Sequence, residues 1–246
     1  MTVRIHPGET LEYTFDAANR LSTYVEKQSG VTTLTQTNQY NGNGQRIIKT
    51  ETAGSNPVDV VNYFYQDGKV LYTTGSDANK AFNILGAGDN IIATEHQNTS
   101  GVASYYFYNK DLRGSTTNIL GSDYLAKASY TYDWFGNTEV FEPTGTSFYN
   151  QICYTGGIYD ESTQLYYLNA RFYDPADGRF ISQDTYRGNL RDANSWNLYA
   201  YCANNPVKYS DPSGHIIQVL FAVGFAAWSV YDGIKEYKKS KKAGLK

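Results

Sequence analysis

The sequence predicts an all-β protein of antiparallel hairpins stacked edge to edge into one continuing sheet, with a single helix at the C-terminal end. Three observations predict it. Tyrosine supplies 24 of the 246 residues, against 11 Phe and 3 Trp, and tyrosine favours half-buried strand positions where the ring packs and the hydroxyl reaches water. One aromatic pattern recurs along the chain, each time leading through a polar turn into β-branched residues. Finally, Asn43-Gly44, Asp67-Gly68 and Gly136-Asn137 are dipeptides that can adopt the positive φ angles of tight hairpins.

The repeat is visible in YTFDAANRL from Tyr13, NQYNGNGQRI from Asn38, YFYQDGKVL from Tyr63, YFYNKDLRGS from Tyr106 and YTYDWFGNTEV from Tyr130. Its anchors Phe15, Tyr40 and Tyr65 are spaced 25 and 25 residues, and Tyr108 and Tyr132 are spaced 24. Each unit reads as an aromatic strand, a turn of Asp, Asn and Gly, and a second strand carrying residues such as Ile47, Ile48, Val70 and Val140. A lone hairpin is marginal in water, so the units are expected to share edges. Residues 76–104 read as a degenerate unit with strands at Ala81 to Leu85 and Asn90 to Glu95, joined by a turn over Gly86 to Asp89.

From Tyr154 the pattern tightens into GGIYDESTQLYYLNARFYDPADGRFISQDTYRGN and then NLYAYCANNPVKYSDPSGH, punctuated by Asp174-Pro175, Asn205-Pro206 and Asp211-Pro212. Ile216 to Ile234 is apolar apart from Gln218, Ser229 and Asp232, and is the expected helix. It leads to Lys235, Lys238, Lys239, Lys241, Lys242 and Lys246. That run is short for a membrane span. The chain thus divides into three organisational units: a repeat sheet over 11–153, a dense core over 154–215 and a tail over 216–246.

A formal net charge of −3 argues against a nucleic-acid partner. His6, His96 and His215 lie far apart, so neither a metal site nor another cofactor is expected. Cys153 and Cys202 could pair once or be two buried thiols. The opening MTVRIHPGETLEY lacks the apolar stretch of a signal peptide.

With Tyr132-Asp133 and Tyr173-Asp174 as its dipeptide, and with GGIYDESTQLYYLNARFYDPADGRFISQDT, NLYAYCANNPV and DPSGH in succession, the chain resembles the Rhs/YD-repeat family. Residues 156–215 are similar to the Rhs-associated core in the variant found in wall-associated proteins of Gram-positive bacteria. The resemblance implies a β-sheet wound into a hollow shell, a non-catalytic scaffold that is part of a secreted shell or delivery module for a polymorphic toxin in bacterial competition. It also implies an extracellular or wall-associated setting. The partners it implies are the rest of a larger shell, a C-terminal effector and an immunity protein. Self-cleavage after the core is implied as well, through Asp184 in SQDT and Asp211 in DPSGH, with the bond between His215 and Ile216 as its target and Arg179 orienting a partner. The sequence departs from the family pattern where Thr185 follows Asp184, where Asp184 and Asp211 stand 27 positions apart through an insertion, and where His215 replaces a commoner leucine.

Each of these features has a structural alternative. Asp211-Pro212-Ser213-Gly214 makes a strong turn by itself, and Asp184 can cap its own loop. Tyrosines such as Tyr106 and Tyr108 can stack on sugar rings, as in a surface adhesin, or pack across strands. The tail can plug the sheet, meet anionic lipid through its lysines or open a longer effector. It contains no residue set for nuclease or deaminase chemistry.

Overall fold

The computed structural model describes residues 1–75, 80–86, 90–98, 100–145, 147–187 and 196–215, and the backbone of 218–219. Thirteen strands follow one another in a single antiparallel sheet, each paired with its sequence neighbours. They are β1 (Thr2–His6), β2 (Glu9–Phe15), β3 (Leu21–Gln28), β4 (Val31–Tyr40), β5 (Arg46–Ala53), β6 (Asp59–Gln66) and β7 (Lys69–Gly75). β8 (Ala81–Leu85), β9 (Ile91–Gln97), β10 (Ala103–Lys110), β11 (Thr116–Gly121), β12 (Ala126–Tyr132) and β13 (Thr138–Phe141) complete it. The degenerate unit thus supplies β8 and β9; residues 87–89 of its expected turn lie outside the described residues.

The repeat has a local physical logic. At the turn, one carboxylate or amide oxygen accepts two backbone N–H bonds of 2.8–3.0 Å, from the residues two and four places on. Asp16, Asn41, Asn98, Asp111 and Asp133 all do this. The residue three places on takes positive φ, at Asn19, Gly44, Gly101, Gly114 and Gly136. The expected positive φ therefore falls on Gly44 and Gly136 without Asn43 or Asn137. Asp67-Gly68, with φ of 50° and 80°, is a two-residue turn with both angles positive, and so is Ser29-Gly30, with 50° and 83°.

The repeat tyrosine does the complementary job, since its hydroxyl donates to a carbonyl in the preceding unit. Tyr40 bonds Leu21 at 2.6 Å, Tyr65 bonds Arg46 at 2.8 Å and Tyr132 bonds Thr116 at 2.6 Å. In the degenerate unit Asn83 stands in, donating to Val70 at 2.9 Å. A register shift beside the turn recurs at Thr14/Phe15, Gln39/Tyr40, Phe64/Tyr65, Ile84/Leu85 and Asn109/Lys110. Such bulges bend a strand and raise its twist, and the wall curves.

The concave face is filled. A small sheet of β14 (Ile158–Asp160), β15 (Leu165–Tyr167), β16 (Phe172–Asp174) and β17 (Arg179–Phe180) lies inside the wall. Its register sets Tyr159, Tyr166, Tyr173 and Phe180 in one row, with successive ring centroids 4.8, 6.5 and 5.8 Å apart. That row packs with Ile119, Ala128 and Tyr130 of β11 and β12. Ile158, Leu165, Tyr167 and Phe172 pack with Tyr13, Tyr24, Leu34, Val61 and Tyr63 from the other end of the wall. The wall thus clasps the core sheet.

The deepest contact between wall and core is ionic. Arg46 of β5 and Asp160 of β14, both completely buried, form a two-pronged pair, with one prong at 3.0 Å. Arg46 also bonds Tyr63 at 3.2 Å and lies over the rings of Tyr63 and Tyr167. Lys49 sits 3.7 Å from Asp160. Burial alone raises the pKa of Asp160, but Arg46 and Lys49 overcome it and hold the carboxyl below its ordinary value.

Last, β18 (Tyr209–Ser210) pairs with β19 (Gln218–Val219), setting Tyr209 opposite Val219. The expected helix from Ile216 is thereby corrected at its start, because Gln218 and Val219 pair as strand. The rest of that expectation, over 220–234, and the lysine-rich end lie outside the described residues. Among the described residues there is no α-helix, and none is long and apolar enough to cross a membrane. Cys153 and Cys202 are both free and buried.

Asp160→Asn leaves two buried cations short of their counter-charge and should destabilise the fold by about 3–5 kcal/mol, measured by urea unfolding. Because the folded pKa of Asp160 is depressed, its stabilisation is present at neutral pH and is lost as pH falls through that lowered value. The variant should lose this part of the acid dependence. Tyr40→Phe, which deprives the Leu21 carbonyl of its donor, should cost about 1–3 kcal/mol in the same assay.

Candidate functional site

A second convergence of charged groups, outside that clamp, lies at the end of the core. Arg171, in the bend between β15 and β16, is buried. Its Nε donates to the Gly214 carbonyl, its Nη1 donates to the Leu198 carbonyl at 3.1 Å, and its guanidinium lies 3.5 Å from the centre of the Phe180 ring. Held this way, Nη2 faces two carboxylates, Asp184 Oδ2 at 2.7 Å and Asp211 Oδ2 at 3.7 Å. Burial draws the Arg171 pKa below its ordinary value, while Asp184 and Asp211 pull it back up.

The second oxygens of both carboxylates hold His215. Asp211 Oδ1 accepts the His215 backbone N–H at 3.1 Å, and Asp184 Oδ1 lies 3.2 Å from His215 Nδ1. Both structural alternatives are also present in the geometry. Asp211 Oδ1 accepts the Ser213 hydroxyl at 3.1 Å within its own turn, and Asp184 caps its loop through the Tyr186 N–H at 2.9 Å. Asp211 is 1% exposed, whereas the His215 ring is 40% exposed and borders a cleft of about 340 Å³ that also touches Arg20, Arg171, Thr185 and Ser213.

Backbone geometry fixes the loop. Gly214 has φ of +74°, and a Cβ there would lie 2.6 Å from the Leu168 carbonyl oxygen and 3.0 Å from the Arg171 nitrogen. Asn169 Nδ2 bonds the Pro212 carbonyl at 3.2 Å and Ala170 N bonds Ser213 O at 3.2 Å. The Asp211–His215 turn is thereby stitched to the bend that carries Arg171.

The structure brings together Asp184, Asp211 and His215, but not Arg179. That side chain is exposed and pairs with Asp177 at 3.1 Å, and the guanidinium beside the two aspartates belongs to Arg171. Sequence reasoning passed over Arg171, although it is the single cation in the apolar stretch LYYLNARFYD. A cation there must be buried, and a buried cation needs a partner. Ile216 lies outside the described residues. Of the two readings of Tyr106 and Tyr108, sugar stacking or packing, the contacts are those of packing, because both side chains turn inward. Tyr106 packs edge-on against Phe148 at 4.6 Å and against His96 at 5.0 Å, and Tyr108 bonds Asn150 at 3.0 Å. Their neighbours Tyr105 and Phe107 hold the exposed positions.

Known proteins share this arrangement of wall and core. A family model described as the teneurin YD-shell matches residues 90–207. The chain is 38% identical over 224 residues to the tRNA nuclease WapA of Bacillus subtilis (strain 168), covering 89% of this chain and 9% of that protein. It is 40% identical over 76 residues to the toxin protein Tse5 of Pseudomonas aeruginosa, covering 31% of this chain and 6% of that protein. The solved structure of TcdB2-TccC3 without its hypervariable C-terminal region superposes with a TM-score of 0.66 at 25% identity, over 85% of this chain and 10% of that chain. The chain therefore spans about a tenth or less of the length of these relatives.

Replacing Gly214 by Ala forces a side chain into a left-handed conformation against two backbone atoms. It should cost about 1–3 kcal/mol, read by thermal unfolding, and should pull the Asp211 turn away from Arg171.

Proposed function

Because this chain belongs to the Rhs/YD-repeat family, we propose that it is the closing segment of a larger YD-repeat shell that delivers a C-terminal effector and frees it by cutting the chain after His215. In this reading residues 11–153 are shell wall, 154–215 the core that closes it and 216–246 the first stretch of the effector. The partners are the rest of the shell, the effector and its immunity protein, and the setting is extracellular.

The observation that carries the cleavage reading is the double engagement of His215. One carboxylate holds its amide and the other its ring, while both meet the same guanidinium. Both carboxylates are held at one guanidinium, and a pair of carboxyl groups that shares a proton supplies an acid and a base together. As water adds to the carbonyl carbon of His215, one carboxylate takes its proton. The other gives a proton to the departing amine of Ile216 as the C–N bond breaks, leaving a carboxylate on His215 and a free amine on Ile216. Arg171 fixes both groups and offsets their negative charge. The cleft bordering His215 admits the water.

Intact mass is the direct test. Purified chain of 27.6 kDa should lose the mass of residues 216–246 on incubation, and Asp184→Asn or Asp211→Asn should each retain full mass while unfolding normally. A wild-type chain that keeps 27.6 kDa throughout is incompatible with self-cleavage.

A further inference from the structure

We propose that His215 is an acid-sensitive brake on this cleavage, its ring restraining Asp184 whenever it is protonated. The inference rests on the cleavage reading above and concerns the regulation of the same site.

The residue whose carbonyl is to be attacked also reaches back, through its own side chain, to one of the two carboxylates. His215 Nδ1 lies 3.2 Å from Asp184 Oδ1, and the other oxygen of Asp184 is 2.7 Å from Arg171 Nη2. Imidazole is the side chain whose ordinary titration falls between pH 5 and 8. When the ring is neutral, Asp184 carries one hydrogen bond on Oδ1 and one cation on Oδ2. When the ring is protonated, the carboxylate is pinned between imidazolium and guanidinium. An aspartate in such a site must carry a proton at some stage, either taken from water or given to the leaving amine. A carboxylate flanked by two cations binds a proton poorly, so the protonated ring hinders Asp184 in either role.

The surroundings leave this exchange open to solvent pH. The ring is 40% exposed, and among the described residues four charged groups share its surroundings. Asp184 and Asp211 lie on its own side with Arg171 behind them. Across the cleft stands Arg20, itself held by Asp16 at 2.6 Å. The expected sign is opposite to that of a carboxylate pair alone, which gains from acid because one member must be protonated.

The experiment follows loss of full-length mass in the 246-residue chain at pH 7.5 and 5.5, for wild type, His215→Leu and His215→Gln. The wild-type rate should be several-fold lower at pH 5.5 than at pH 7.5. Neither variant should show the fall, and the glutamine, which keeps a hydrogen-bond donor without a titrating ring, guards against a purely steric effect in the leucine. Equal pH profiles for all three chains, or a wild-type rate that rises in acid, would overturn the brake while leaving self-cleavage in place. Absence of cleavage in every chain at both pH values would overturn the cleavage reading and the brake with it.

Discussion

The fold depends on one buried ion pair. Arg46 occupies the position that Leu21 fills in the unit before it and Val70 in the unit after, directly beyond the hairpin turn and facing the core. An apolar residue there would serve the wall alone. The arginine instead reaches Asp160 on the core sheet, 114 positions later in sequence, and neither charge is tolerable without the other. The wall therefore cannot adopt its buried arrangement until the core has entered it, and the core cannot bury Asp160 without the wall. Tyrosine and phenylalanine rings line the rest of the contact, so the pair sits in surroundings where misregistration of wall against core would strand a charge.

Around that anchor the repeats assemble by two simple rules. The acidic or amide residue directly after Phe15, Tyr40 and Tyr132 closes its own turn, and Tyr40, Tyr65 and Tyr132 each tie a hairpin to the one before it. Phe15 occupies the first anchor position and lacks the hydroxyl. Asn83 shows that the rule concerns donation rather than aromaticity, since an amide from a neighbouring strand satisfies Val70 where the repeat has decayed. At Tyr40, Tyr65, Asn83 and Tyr132 the wall is accordingly directional, the unit leaning on its predecessor.

These rules explain what could be read in the sequence. Hairpins and their order were legible because the roles of Asp and Tyr are local, recurring every 24 or 25 residues. The turn type was not, because Asn-Gly looks the same in a two-residue turn and in the longer turn that Asn41 closes; the capping oxygen decides between them. The apolar run after His215 reads as helix, but a short apolar stretch has no periodicity to separate helix from strand, and pairing with Tyr209 and Ser210 makes Gln218 and Val219 strand. At the site, Asp184 and Asp211 came from resemblance, whereas Arg179 was named beside them and Arg171 was passed over, both arginines flanking aromatic residues. What separates them is burial, which depends on the bend after Tyr167 meeting the loop at Gly214.

The short hairpin of β18 and β19 has a further consequence. The peptide link after His215 lies within the loop that this hairpin closes, so strands on either side of it are already joined by hydrogen bonds. Hydrolysis there would nick the hairpin without parting it. Under the proposed cleavage, severance and departure would be separate events, the second governed by peeling apart a ladder two residue pairs long.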